Sequence, residues 1–160
     1  MPETRSLAVD LDGALGDTRA LWAAWLEDAA RRLRDPGLAE LTDRAAAPPE
    51  LDRRVGNWRA LLERFCEDHA PVHLRPNPAA NAALRRLRAA GVRVHAFTDA
   101  PEPLARVAAQ HLGVWRSLDL LATGPGALER ARAGSDGREV RTLAELLEAA
   151  RVGGGASPSP

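Results

Sequence analysis

The chain has 160 residues, which bounds it to one domain with room for a small insert. Its hydrophobic content of 45% supports a real core, and its 28% of charged residues balance to a formal net charge of zero, which argues against a nucleic-acid partner. There is no Lys, so all 22 basic residues are Arg and any role for an ammonium group falls to a guanidinium. Cys66 stands alone, which excludes a disulfide framework and a cysteine zinc site. No apolar run approaches membrane-spanning length, and Glu3 and Arg5 precede the first one without a signal-peptide h-region. A cytoplasmic location with no membrane partner is the expectation.

Ser6 to Leu11 is a short apolar run ending in Asp-Gly, and it reads as a buried strand. Thr18 can cap a helix over Arg19 to Arg34, in which Leu21, Trp22, Trp25, Leu26, Ala29 and Leu33 share one face. "DPG" at 35–37 ends it, and a short helix over Leu38 to Ala46 follows. A second long amphipathic helix is predicted over Glu50 to Asp68, with Val55, Trp58, Leu61, Leu62 and Phe65 as its apolar face. The tryptophans on these faces read as core. Asn77 and Pro78 begin a helix that stops at Gly91. Val92 to Phe97 is the second strand, and the helix after "TDAPEP" ends near Gly113. Ser117 to Gly124 is a third strand, Gly126 to Ala133 a helix, Arg138 to Val140 a short fourth strand, and Leu143 to Val152 a last helix. The tail from Gly153 to Pro160 is predicted to be disordered.

Strands that alternate with helices imply βαβ units and a parallel sheet. Ligands of such sheets bind at the carboxyl ends of the strands, where Asp10, Asp12, Thr98 and Asp99 all fall. Two carboxylates at a strand end need a cation, an arginine or exposure. Mg²⁺ meets that need with oxygen ligands. A carboxylate beside it can attack phosphorus, and a second acid can protonate the leaving oxygen. Gly13 lets the chain turn and present amides to phosphate oxygens, and a Thr hydroxyl at the next strand end can donate to them. The plain alternative is that Asp12-Gly13 is only a strand-ending turn.

"AVDLDGALGDT" resembles the first motif of the haloacid dehalogenase (HAD) superfamily, and "LRPNPAANAALRRLRAAGVRVHAFTDA" resembles its second region. The likeness covers about Leu7 to Gly124. It implies an α/β fold, a Rossmannoid three-layer sandwich with a short parallel sheet and a small helical (C1-type) cap. The core would be residues 1–18 and 74–152, the cap 19–73, and the tail 153–160. The likeness also implies roles. Asp10 would be nucleophile and metal ligand, and Asp12 general acid/base with its main-chain carbonyl on Mg²⁺. Gly13, Thr98 and Asp99 would lie on the phosphate, while Asp17 would shape the loop.

The later motifs depart from the family pattern. "TGPGALERARAG" offers Gly-Pro-Gly where the family has its Lys, with Arg130 and Arg132 further into a predicted helix. The fourth strand ends in Arg141 and Thr142 where the family has acids. Two readings of Arg141 stand: it neutralises Asp10 and Asp12 in place of the metal, or it is the exposed start of the last helix. Glu139 and Glu145 are weaker candidates to complete a metal site. His69 and His73 have the spacing of a metal pair but lack a third ligand; His95 reads as core, and His111 as a partner of the last carbonyls of its helix.

The resemblance implies a Mg²⁺-dependent phosphatase acting on a small phosphorylated metabolite through an aspartyl-phosphate on Asp10, as a monomer or homodimer. The alternative is a catalytically silent relative that binds a ligand or partner through the same cleft. Dehalogenation is disfavoured by Asp12, and a generic α/β domain with a chance Asp-x-Asp-Gly is the remaining reading. Arg53, Arg54 and Arg59 are either substrate-facing or solvated.

Overall fold

The computed structural model describes residues 5–155. Four strands form one parallel sheet: β1 (Ser6–Asp10), β2 (Arg93–Thr98), β3 (Leu120–Thr123) and β4 (Glu139–Val140), in the order β3-β2-β1-β4. Asp10 pairs with Phe97, Thr98 with Thr123, and Val9 with Val140, so the carboxyl ends of all four strands align along one edge. The chain leaves β1 toward β2 on one side and returns to β4 on the other. That reversal beside β1 is where a crevice opens in sheets of this kind.

Helices α1 (Arg19–Arg32), α2 (Ala47–Arg54), α3 (Trp58–His73), α4 (Pro78–Ala89), α5 (Glu102–His111), α6 (Ala127–Ala133) and α7 (Leu143–Gly153) complete the described fold. The alternation of side chains along a strand sorts them into layers. Leu7, Val9 and Val94 face one way, into a large cluster with Leu84 and Leu87 of α4, Leu104 and Ala108 of α5 and Leu146 of α7. Ala8, Phe97 and Ala122 face the other way, into a smaller cluster with Ala127, Leu128 and Ala131 of α6. The His95 ring packs on this second face so closely against Gly134 that a Cβ there would lie 2.5 Å from Cε1. His95 is buried as expected, and its Nδ1 has no hydrogen-bond partner among the described residues.

The segment between β1 and β2 departs from the predicted elements in two places. The long helix expected over Glu50 to Asp68 is two helices, because Gly56 and Asn57 are poor interior residues and Val55 turns extended. Pro48 and Pro49 also start α2 earlier, in a first turn that needs no amide donors. The helix expected over Leu38 to Ala46 is a 3₁₀ turn at Pro36–Glu40 followed by a separate turn at 44–46. Asp43 makes that second turn, its Oδ1 accepting from the amides of Ala45 (3.1 Å) and Ala46 (3.2 Å).

Trp22, Trp25 and Trp58 are buried, with Trp25 tilted by 41° against Trp22 and by 42° against Trp58 at centroid distances of 5.3 and 6.2 Å. The indole N–H of Trp22 donates to the Leu41 carbonyl and that of Trp58 to Asp52. They are core, as expected, with their polar tips satisfied. Asn77 caps α4 through the amides of Ala79 and Ala80, with Pro78 at the first helical position. Thr18 precedes α1 but makes no capping bond, since its hydroxyl is used elsewhere. Of the predicted disordered tail, Gly153 closes α7, Gly154 and Gly155 form the turn after it, and 156–160 lie outside the described residues. No helix among the described residues is long and apolar enough to cross a membrane.

Candidate active site

Asp10 ends β1, and the chain then winds through one tight π-helical turn, Leu11–Leu15. The Asp12 amide donates to Asp10 Oδ1 at 3.0 Å, which fixes the Asp10 carboxyl over the strand end. Asp10 Oδ2 accepts no hydrogen bond from any other described residue. Gly13 has no unusual φ, so conformational freedom is not why it is glycine. The reason is space: a Cβ would run into the main-chain carbonyl of Arg141. The start of the last helix thus closes directly over the motif loop.

Asp12 faces a different environment. Its Oδ1 accepts from the Thr18 amide (2.8 Å) and hydroxyl (2.5 Å); its Oδ2 accepts from Thr98 Oγ1 (2.6 Å) and Arg44 Nη2 (2.9 Å). The same Arg44 Nη2 reaches Asp99 Oδ1 at 2.5 Å, and Arg44 Nη1 donates to Thr18 Oγ1 at 2.6 Å. Arg44 is only 5% exposed. The Asp43 turn delivers its guanidinium into the cluster, and the predicted helix over 38–46 would not have done so.

The two carboxyls are consequently pushed apart in acidity. Burial raises Asp10 above the ordinary carboxylate range; the Asp12 amide lowers it, the Asp12 charge adds to the rise, and the nearby Arg141 charge opposes it. Burial would raise Asp12 too, but the Arg44 charge and the bonds from Thr18 and Thr98 outweigh it and hold Asp12 below that range. Asp12 is therefore a carboxylate at neutral pH with its lone pairs engaged.

The expected site residues Asp10, Asp12, Gly13, Thr98 and Asp99 do meet at this edge. Thr98, however, is buried and donates to Asp12, while Asp99 pairs with Arg44 and keeps its other side exposed. Asp17 pairs with Arg19 at the loop's end. Of the two readings of Arg141, pairing with Asp10 and Asp12 is corrected, and the exposed position ahead of the last helix is the one observed. Arg141 Nε donates to Glu139, its guanidinium lies 5.8 Å from the centroid of Phe97, and it acts on Asp10 by charge alone. Glu139 is thereby committed to Arg141 and Arg132, and Glu145 to the Thr142 cap of α7. Arg130 folds back onto the carbonyls of Thr123 and Pro125 at the end of β3.

Arg53, Arg54 and Arg59 pair with Glu50, Asp35 and Asp52 on the surface of the insert. His69 stacks on Phe65 and bonds its carbonyl, and His111 bonds the Leu74 carbonyl rather than the end of its own helix. Arg44 and Thr18 are the residues that sequence reasoning missed. The local signal was Asp43 ahead of Ala-Ala-Ala-Pro-Pro, a side chain able to cap a turn and aim its neighbour.

The Mg²⁺ implied by the resemblance is tested by this donor set. Asp10 and the Asp12 main-chain carbonyl would be its ligands. Beyond those two the edge offers no free acid among the described residues: Asp99 is paired with Arg44, and the β4 end supplies Arg141 and Thr142. Among the described residues no three acidic, histidine or cysteine side chains converge as a metal site. The residues do not fit a resident divalent cation, which needs a larger set of oxygen donors.

No protein-family model matches the chain, and no curated protein matches it. Among solved structures, a HAD phosphatase from Thermococcus onnurineus is similar in fold, with a TM-score of 0.50 and 19% identity, over 91% of this chain and 97% of that one. The chain thus has a HAD-like α/β fold with a four-stranded, all-parallel sheet. At that identity the likeness establishes the fold alone.

Proposed function

We propose that the chain is a HAD-like phosphomonoester hydrolase whose nucleophile is Asp10, acting on a small phosphorylated metabolite bound at the carboxyl edge of the sheet. The observation that carries this reading is Asp10 itself: its Oδ1 is fixed by the Asp12 amide, while Oδ2 has no partner among the described residues at the end of a central strand. That oxygen would form the bond to phosphorus as the bond from phosphorus to the leaving oxygen breaks, giving an aspartyl-phosphate. The insert 19–73 serves as the helical cap, and it contributes Arg44 to the floor of the cleft.

The leaving oxygen needs a proton, and Asp12 in this arrangement has none to give. Substrates with acidic leaving groups, such as aryl or acyl phosphates, need no such donor and should react fastest. A series of aryl phosphates tests this. The account expects rates that rise steeply as the leaving phenol becomes more acidic, and turnover lost in Asp10→Asn. A rate independent of leaving group points instead to a working general acid. The second reading, a silent binding protein, is favoured by the engagement of Asp12, Thr98 and Asp99 with Arg44 and with one another. Equal, negligible rates for the wild type and Asp10→Asn select it.

A further inference from the structure

We propose that Arg44 is the resident cation of this cleft, holding the Asp12 and Asp99 carboxylates together from inside the fold, so that the site is assembled without a divalent ion. This rests on the geometry of the carboxylate cluster and not on the hydrolase reading, so a protein without turnover can still pass or fail the test.

Two carboxyls, Asp12 and Asp99, meet on one guanidinium just beyond the ends of β1 and β2, with Asp10 two residues before Asp12. Such a group needs a compensating charge. Arg44 supplies it from inside the fold: one nitrogen bridges Asp12 and Asp99, and the other donates to Thr18, whose hydroxyl in turn donates a hydrogen bond to Asp12. A planar fork of fixed donors suits this bridging, as a lysine ammonium would not. The guanidinium is nearly inaccessible to solvent, with a side-chain exposure of 5%, and its pairs are short. A second guanidinium, Arg141, lies on the Phe97 side of Asp10. The fourth strand therefore brings positive charge to the place where metal ligation would need negative charge. Both departures from the family pattern, the missing acids and the extra arginine, have the same electrostatic sense.

The consequence is a gain of function on deletion. Arg44→Gln leaves the carboxylates without their counter-ion and should create divalent affinity that the wild type lacks. Thermal unfolding and calorimetry with MgCl₂, against NaCl of matched ionic strength, read this out. The wild type should show no specific heat and no rise in Tm. Arg44→Gln should melt lower than wild type and recover Tm as Mg²⁺ is added, because a ligand of the native state alone stabilises it. Arg44→Lys, which keeps the charge, should stay indifferent to Mg²⁺. If Arg44→Gln does not fold, wild-type calorimetry still decides: no heat supports the proposal. Wild-type uptake of Mg²⁺, abolished by Asp10→Asn, overturns it whatever the variants do. So does a folded Arg44→Gln that responds to Mg²⁺ no more than wild type.

Discussion

The two halves of the sheet's carboxyl edge are built on opposite principles. At the ends of β1 and β2 the side chains are enclosed and mutually bonded: Asp12, Thr18, Thr98 and Arg44 form one network with almost no solvent contact. At the ends of β3 and β4 the functional positions are arginines on the surface. Arg130 bonds main-chain carbonyls, and Arg141, 52% exposed, pairs with Glu139. Substitutions in the first half should disturb fold and site together. Those in the second half should tune charge near Asp10 and leave the fold intact. The difference follows from dielectric, since a buried pair broken on one side leaves a charge that water cannot reach.

The largest expected effect is therefore at Arg44. Arg44→Met should cost about 3–5 kcal/mol in urea unfolding, because Asp12 stays buried without its partner. A loss no greater than that of a surface ion pair would break the contrast. Gly13→Ala comes next, since its methyl meets the main chain of Arg141 and cannot be relieved by a rotamer change; about 1–3 kcal/mol is expected from such overpacking. The cost should be paid in a displaced start of α7, visible as faster amide exchange at Leu143 and Ala144.

Acid stability sharpens the contrast further. Asp12 titrates below its ordinary value of 3.8 in the folded chain. The unfolded chain then binds the proton first as pH falls, so stability contributed by the Arg44 network is full above about that pH and is lost below it. Asp10, raised by burial, works in the opposite sense and is relieved by protonation. The acid limb of a pH series should flatten in Arg44→Met, where the largest cause of the Asp12 depression is removed, and remain steep in Arg141→Ala.

Arg141→Ala should change stability by at most about 1 kcal/mol, as for other exposed pairs. It should nevertheless raise the Asp10 pKa, measurable by carboxyl NMR, because the opposing charge is gone. The smallest effect lies away from the site. Cys66 is buried and its thiol is pushed up to about 12 by that burial, so a thiol reagent at mildly alkaline pH should label it only in unfolded chains.

How much of this was legible in the sequence follows the same divide. β1, β2, the Asn77-Pro78 helix start and the tryptophan core follow from short-range pattern, and each formed near its expected bounds. The gathering of Asp10, Asp12, Thr98 and Asp99 was legible because parallel register places consecutive strand ends together. Arg44 was not, because its place depends on a turn that replaced a predicted helix and on contacts 32 and 55 residues away in sequence. Arg141 was located at the correct strand end. Of its two readings the exposed one fits, because Glu139 on the adjoining two-residue strand takes the guanidinium that the other reading aimed at the aspartates. Thr18 looked like a helix cap, and only the fold shows that its hydroxyl serves Asp12 instead.

The central claim is that Asp10 carries the reacting oxygen. Reductive trapping tests it most directly: the wild type is mixed with an aryl or acyl phosphate, quenched with borohydride and digested, and the Leu7–Thr18 segment is read by mass spectrometry. The account predicts conversion of Asp10 to homoserine, dependent on substrate and absent from Asp10→Asn. Phosphate release that continues with Asp10 unmodified, or with the label on another residue, would contradict it.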